Sequence, residues 1–93
     1  MPRSRTSNWH YVYILESSKD EDFYIGYTQD LKKRLEQHNA KMSFSTKSRA
    51  PFTCIYVESC RNEKDAKRRE DYLKTTQGRR FLKMRLKEFL EYG

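Results

Sequence analysis

The chain has 93 residues and a net charge of +7, with hydrophobic and charged residues each making up 35%. That length holds one small domain and leaves no room for a second, and no apolar run reaches the ~20 residues that span a bilayer. Cys54 and Cys60 fall six residues apart in one strand-like segment, about 20 Å when extended, so a disulfide between them and a CxxC metal site are both excluded.

The opening MPRSRTSN is basic and polar, with no apolar segment behind it for a signal peptide, so a cytoplasmic protein is expected. Residues 1–8 read as a flexible basic N-terminus and residues 9–93 as a single domain. Trp9 to Glu16, WHYVYILE, is aromatic and β-branched. It is expected as a strand with Tyr11, Tyr13 and Leu15 on one face and Val12 and Ile14 on the other. The polar SSKDED then turns the chain into a second strand, Phe23 to Thr28, which completes an antiparallel hairpin.

Thr28 or Asp30 caps a helix that runs to about Ala40, with Leu31 and Leu35 as an apolar i,i+4 pair. Lys41 to Pro51, KMSFSTKSRAP, reads as a basic, mobile loop closed by proline. Phe52 to Cys60 is a third strand, and Asn62 caps a helix from Glu63 to about Thr75. Gly78 is expected to punctuate the chain before a last helix, in which Leu82, Leu86, Phe89 and Leu90 recur at helical spacing. The order ββαβαα predicts an α+β domain with a three-stranded antiparallel sheet flanked by helices.

Charge is placed unevenly. Residues 1–46 carry a net +1 and residues 47–93 a net +6, so the C-terminal half is the stronger footprint for a polyanion. Solubility alone would account for the same charge.

Three residues stand out on the two inner helices. Arg34 and His38 are i,i+4 neighbours beside the Leu31/Leu35 stripe, and Glu70 lies between Ala66 and Leu73 on the small apolar face of a highly charged helix. A carboxylate there needs a partner or a metal, because burying it bare is costly. A structural Glu70 to Arg34 ion pair would satisfy the same requirement.

Tyr11-Val12-Tyr13, then Tyr24-Ile25-Gly26, then Arg34, His38 and Glu70 together resemble the motif set of the GIY-YIG nuclease superfamily. The likeness is to its small stand-alone members, related to the nuclease domain of the excision-repair subunit UvrC. It spans Trp9 to about Leu86. The resemblance implies an endonuclease that hydrolyses DNA phosphodiester bonds with one divalent ion, Mg²⁺ or Mn²⁺, in repair or recombination. Tyr13 and Tyr24 resemble the two motif tyrosines, Arg34 and His38 the helix pair, and Glu70 the metal ligand.

Those side chains suit the chemistry. A guanidinium can present two N–H donors to a phosphate, which assigns Arg34 to transition-state charge. Tyr13 is expected to bind or deprotonate the attacking water with His38 assisting, and Gly26 to permit a close backbone approach, turn or bulge.

Lys33, Lys47, Arg49, Arg79, Arg80 and Lys83 are candidates for DNA-backbone contacts, which position without reading sequence. Two departures from the family pattern accompany the match: Tyr11 replaces the first motif's glycine, and no asparagine follows Asn62, whereas many members carry one on a late helix. Many relatives attach such a module to separate DNA-binding domains and none is expected here, so the domain surface, a recruiting protein partner or DNA shape would have to select the target. A nucleic-acid-binding module with little or no turnover is the alternative function.

Overall fold

The computed structural model describes residues 8–43 and 46–93, so all but the last residue of the expected N-terminal segment 1–8 lies outside the described residues. Its elements follow the chain as β1 (His10–Ser17), β2 (Phe23–Thr28), α1 (Leu31–Asn39), β3 (Phe52–Cys60), α2 (Glu63–Leu73), α3 (Thr76–Arg85) and α4 (Lys87–Tyr92). The three strands form one antiparallel sheet in the order β2-β1-β3, with β1 in the centre. The α+β class and the sheet are as expected.

Alternation along β1 divides the molecule into two layers. Val12 and Ile14 point to one face, where Ile25 joins Ala66 and Leu73 of α2 and Leu82 of α3. Tyr13 and Leu15 point to the other, where they meet Ala50, Phe52, Tyr24 and the Leu31/Leu35 pair of α1. A bulge between Ile14 and Leu15 in the β1–β3 pairing inserts Ile55 without disturbing this assignment.

The helix caps are local chemistry. Asp30 Oδ1 accepts from the Lys33 N–H at 3.1 Å to start α1, and Asn62 accepts from Lys64 and Asp65 to start α2. Thr75 Oγ1 accepts from the Gly78 N–H at 3.1 Å to start α3.

Two expectations for the C-terminal third are corrected. Gly78 does not precede the last helix but sits inside the first turn of α3, where a Cβ would run into the Tyr72 carbonyl and the Leu73 backbone. The glycine lets α3 pack against the end of α2, which is a requirement of close approach rather than of chain reversal. The expected single last helix is also divided at Leu86, whose ψ of 19° interrupts the α geometry between α3 and α4. Leu82 and Leu86 are buried, whereas Phe89 and Leu90 remain about 40% exposed, so the apolar repeat outruns the core.

Candidate active site

The site is assembled on the α1 side of the sheet. Tyr13 on β1 lies directly opposite Gly26 on β2, and its ring passes over that glycine so closely that a Cβ at position 26 would strike it. Gly26 therefore serves close approach, and the tyrosine can extend across β2.

His38 is fully buried, and both of its ring nitrogens are engaged. Nε2 lies 2.9 Å from the Tyr13 hydroxyl and Nδ1 2.7 Å from Thr46 Oγ1. Its ring also meets Tyr24, Tyr13 and Phe52 edge-on, with centroids 5.0, 5.8 and 6.0 Å away. Tyr24 packs at a tilt on Tyr13 with centroids 6.3 Å apart.

Burial sets the electrostatics of this cluster. It pushes the His38 pKa down to about 4, with the Arg34 charge acting in the same direction, so the imidazole is neutral at pH 7. It pushes the Tyr13 phenol up to about 12, a rise that Arg34 opposes and that the Tyr24 and Glu70 charges reinforce. Glu70 thus makes itself felt at Tyr13 although α2 packs on the opposite face of the sheet.

Arg34 is half-buried and held by neutral groups. Its guanidinium donates to Gln37 Oε1 at 3.1 Å and to Ser43 Oγ at 3.4 Å. Among the described residues no carboxylate pairs with it, and Glu70 instead pairs with Lys74 at 3.1 Å. The Glu70 to Arg34 ion pair that the sequence left open does not form.

Comparison with known proteins identifies the family. The GIY-YIG catalytic domain family matches residues 9–85. The chain belongs to this family.

Its relatives include a UPF0213 protein of Oceanobacillus iheyensis, 41% identical over 83 residues that cover 88% of this chain and 93% of the relative. A UPF0213 protein of Halobacterium salinarum is 39% identical, over 70% of this chain and 84% of its own. The solution NMR structure of a UPF0213 protein from Bacillus halodurans matches with a TM-score of 0.51 at 32% identity, covering 80% of this chain and 81% of that one. The domain is thus nuclease-like in family as well as in fold, and DNA is the substrate that the family implies. Among the described residues, no helix is long and apolar enough to cross a membrane.

GIY-YIG nucleases generally depend on a divalent metal, and the donor set here suits one of a particular kind. Among the described residues no three His, Cys, Asp or Glu side chains converge. The carboxylate that the motif resemblance offers is Glu70, on α2 across the sheet from His38, 18% exposed at its side chain and with Lys74 as its ion-pair partner. A single carboxylate fits an ion that keeps most of its water and takes phosphate oxygens from its substrate better than one needing a protein cage.

The six candidate phosphate contacts divide between the two layers of this GIY-YIG domain. Lys33 lies exposed on α1 next to Arg34, and Lys47 lies exposed in the loop beside Thr46. Arg49 follows in the same loop but is clamped on Asp20 at 2.7 and 3.3 Å, with its guanidinium over Phe52. Arg79, Arg80 and Lys83 belong to α3 in the opposite layer, where Arg79 approaches Asp22 at 3.9 Å.

Sequence reasoning missed three supporting residues: Thr46, Ser43 and Gln37. Gln37 is three residues after Arg34, a spacing that could have flagged it. Thr46 and Ser43 carry no such signal, because they come from the loop read as a solvated basic strap. Ser43, Thr46 and Ala50 are in fact buried. The chain leaves α1 through two hydrogen bonds, Met42 N–H to Gln37 C=O and Lys41 N–H to His38 C=O, with Lys41 left-handed at φ 61°. This Schellman-type exit turns the loop back under His38.

Proposed function

We propose that the protein is a metal-dependent endonuclease that hydrolyses DNA phosphodiester bonds, structure-selective in its choice of DNA and serving repair or recombination from the cytoplasm. The observation that carries this reading is Arg34, a half-buried guanidinium held by neutral acceptors beside a dry Tyr13–His38 pair and without a carboxylate partner among the described residues. A cation kept uncompensated in a low-dielectric site is a receptor for an anion, and its paired N–H groups suit a phosphate.

In this reading the water oxygen bonds to phosphorus as the P–O3′ bond breaks, leaving a 5′-phosphate and a 3′-hydroxyl. Arg34 holds the non-bridging oxygens as their charge builds. Solvent protonates the leaving O3′, and Tyr13 Oη, having released its own proton to solvent, takes the proton from the attacking water. Its elevated pKa makes the Arg34 charge necessary for that step. His38, engaged at both ring nitrogens, acts on Tyr13 and not on the phosphate. Tyr24 walls the site and presents the second motif hydroxyl. Mg²⁺ or Mn²⁺ on Glu70 would supply a Lewis acid for the leaving oxygen.

Lys33 and Lys47 position the DNA backbone at this face, with Arg49 contributing at the loop's edge. Arg79, Arg80 and Lys83 reach only DNA that extends to the opposite layer, which suits a branched or bent substrate. The functional unit is the single domain of residues 9–93, preceded by the basic sequence of residues 1–8, with a recruiting protein free to supply further selectivity.

Cleavage is tested on single-stranded, duplex, flap and branched DNA with Mg²⁺, Mn²⁺ or EDTA. Cutting that needs the metal and is lost in Tyr13→Phe and Glu70→Ala, while both variants still bind DNA, is the expected result. Binding without cutting by the unmodified protein would replace the nuclease with a nucleic-acid-binding module.

A further inference from the structure

Behind the site lies a closed chain of three polar groups: Thr46 Oγ1, the His38 ring and Tyr13 Oη, linked at 2.7 and 2.9 Å. None of the three residues is more than 1% exposed. A neutral imidazole carries one N–H and each hydroxyl carries one O–H, so three protons serve two links. One proton must leave the chain at one end.

The two ends are unlike. If His38 carried its proton on Nδ1 and donated to Thr46, the threonine hydroxyl proton would be the one left over. Among the described residues Thr46 Oγ1 has no hydrogen-bonding partner other than Nδ1. A buried donor without an acceptor carries a desolvation penalty. If Thr46 instead donates to Nδ1, the proton sits on Nε2, which donates to Tyr13 Oη. The leftover proton is then that of Tyr13, which finds no acceptor among the described residues either but lies at the end beside Arg34, where the proposed substrate and its water would supply one.

We infer that Thr46 is a positioning residue: its hydroxyl donates to His38 Nδ1, fixes the Nε2–H tautomer, and so turns the Tyr13 O–H outward toward the substrate. The consequence rests on the nuclease reading. With Nε2–H donating to it, Tyr13 Oη is stabilised as an oxyanion once its outward proton is lost, and His38 acts as a donor, not as a proton sink. A tautomer held by its far-side hydrogen bond is a general device of histidine sites. Nothing in the motif spacing pointed to Thr46, which lies eight residues after His38.

Long-range ¹H–¹⁵N correlation spectra of the histidine rings test this in the free protein, without metal or DNA. The sequence has two histidines, and His38→Gln assigns the signals. The expected wild-type spectrum shows His38 with a proton-bearing Nε2 and an acceptor Nδ1. Thr46→Val, which keeps the shape and removes the hydroxyl, shifts the His38 signals toward the other tautomer and leaves His10 unchanged; Thr46→Ser restores the wild-type pattern.

On whichever DNA the wild type cuts, Thr46→Val lowers kcat about tenfold or more with KM nearly unchanged, and Thr46→Ser recovers most of it. A proton on Nδ1 in the wild type overturns the inference even if Thr46→Val fails to fold, and so do His38 signals unaltered by Thr46→Val. A tautomer that responds as expected in a protein that cuts none of the DNAs upholds the hydrogen-bond assignment and overturns the nuclease reading.

Discussion

The two faces of one sheet bury very different things. On the α2/α3 face the core is aliphatic, Val12, Ile14, Ile25, Leu73 and Leu82, and charge stays at the rim in pairs such as Arg69 with Glu58 and Lys67 with Glu63. On the α1 face the fully buried set includes Tyr13, His38, Thr46 and Ser17, each with a hydrogen-bonding partner. Strand β1 serves both layers by simple alternation. The aliphatic face tolerates no loss of volume but is indifferent to proton positions, whereas the polar face depends on every donor finding its acceptor. Stability and chemistry are thus separated by about the thickness of a sheet.

The sharpest way to break that comparison is a pair of truncations. Leu82→Ala on the aliphatic face is expected to cost about 2–5 kcal/mol in urea unfolding while leaving the cleavage rate of the folded fraction unchanged. Tyr13→Phe on the polar face reverses the ranking: it orphans His38 Nε2 for about 1–2 kcal/mol, yet lowers kcat by about 10²-fold or more. If Tyr13→Phe proved the more destabilising of the two, the division would be wrong.

Acid offers a second way. Burial holds the His38 pKa at about 4 against an ordinary value of 6.5, so between those limits the unfolded chain binds a proton that the folded chain refuses. Stability is therefore fully present above about pH 6.5 and falls as pH drops toward 4, by up to about 3 kcal/mol. Glu63, held low by Lys67, begins to lose its contribution below its ordinary value of 4.5, and Asp20, held down to about 2 by its hydrogen bond from Arg49, below 3.8, so both declines come after most of the His38 loss. Urea titrations from pH 7 to 4 check this, and His38→Gln should flatten the curve in that window without altering the later decline.

The sequence made the aliphatic face legible, because period-2 alternation in β1 and helical recurrence in α2 are local patterns with a single reading. It also pointed to Tyr13, Tyr24, Arg34, His38 and Glu70, because their spacing resembles a known motif set. What it concealed depends on geometry that no local pattern encodes. Gly78 looked like punctuation because a glycine needed for close approach, here to Tyr72 and Leu73, is indistinguishable from a turn glycine until the neighbouring helix is placed. Arg49 looked like a free cation until the hairpin turn brought Asp20 to it across 29 positions. Thr46 was hidden in KMSFSTKSRAP because the composition of that loop is that of a solvated segment.

The smallest expected effect concerns the turn that hid Thr46. Lys41 holds φ 61° at the α1 exit, a left-handed conformation that costs a non-glycine residue about 1–2 kcal/mol. Glycine at such an exit is the common solution and would have marked the turn in the sequence. Lys41→Gly removes that strain but adds about 0.5–1 kcal/mol of unfolded-state entropy, so a net stabilisation of up to about 1 kcal/mol is expected in urea unfolding. Because the backbone path is unchanged, the loop still carries Thr46 beneath His38 and kcat should not move. A loss of kcat with added stability would mean that the lysine side chain itself serves the DNA on the polar face.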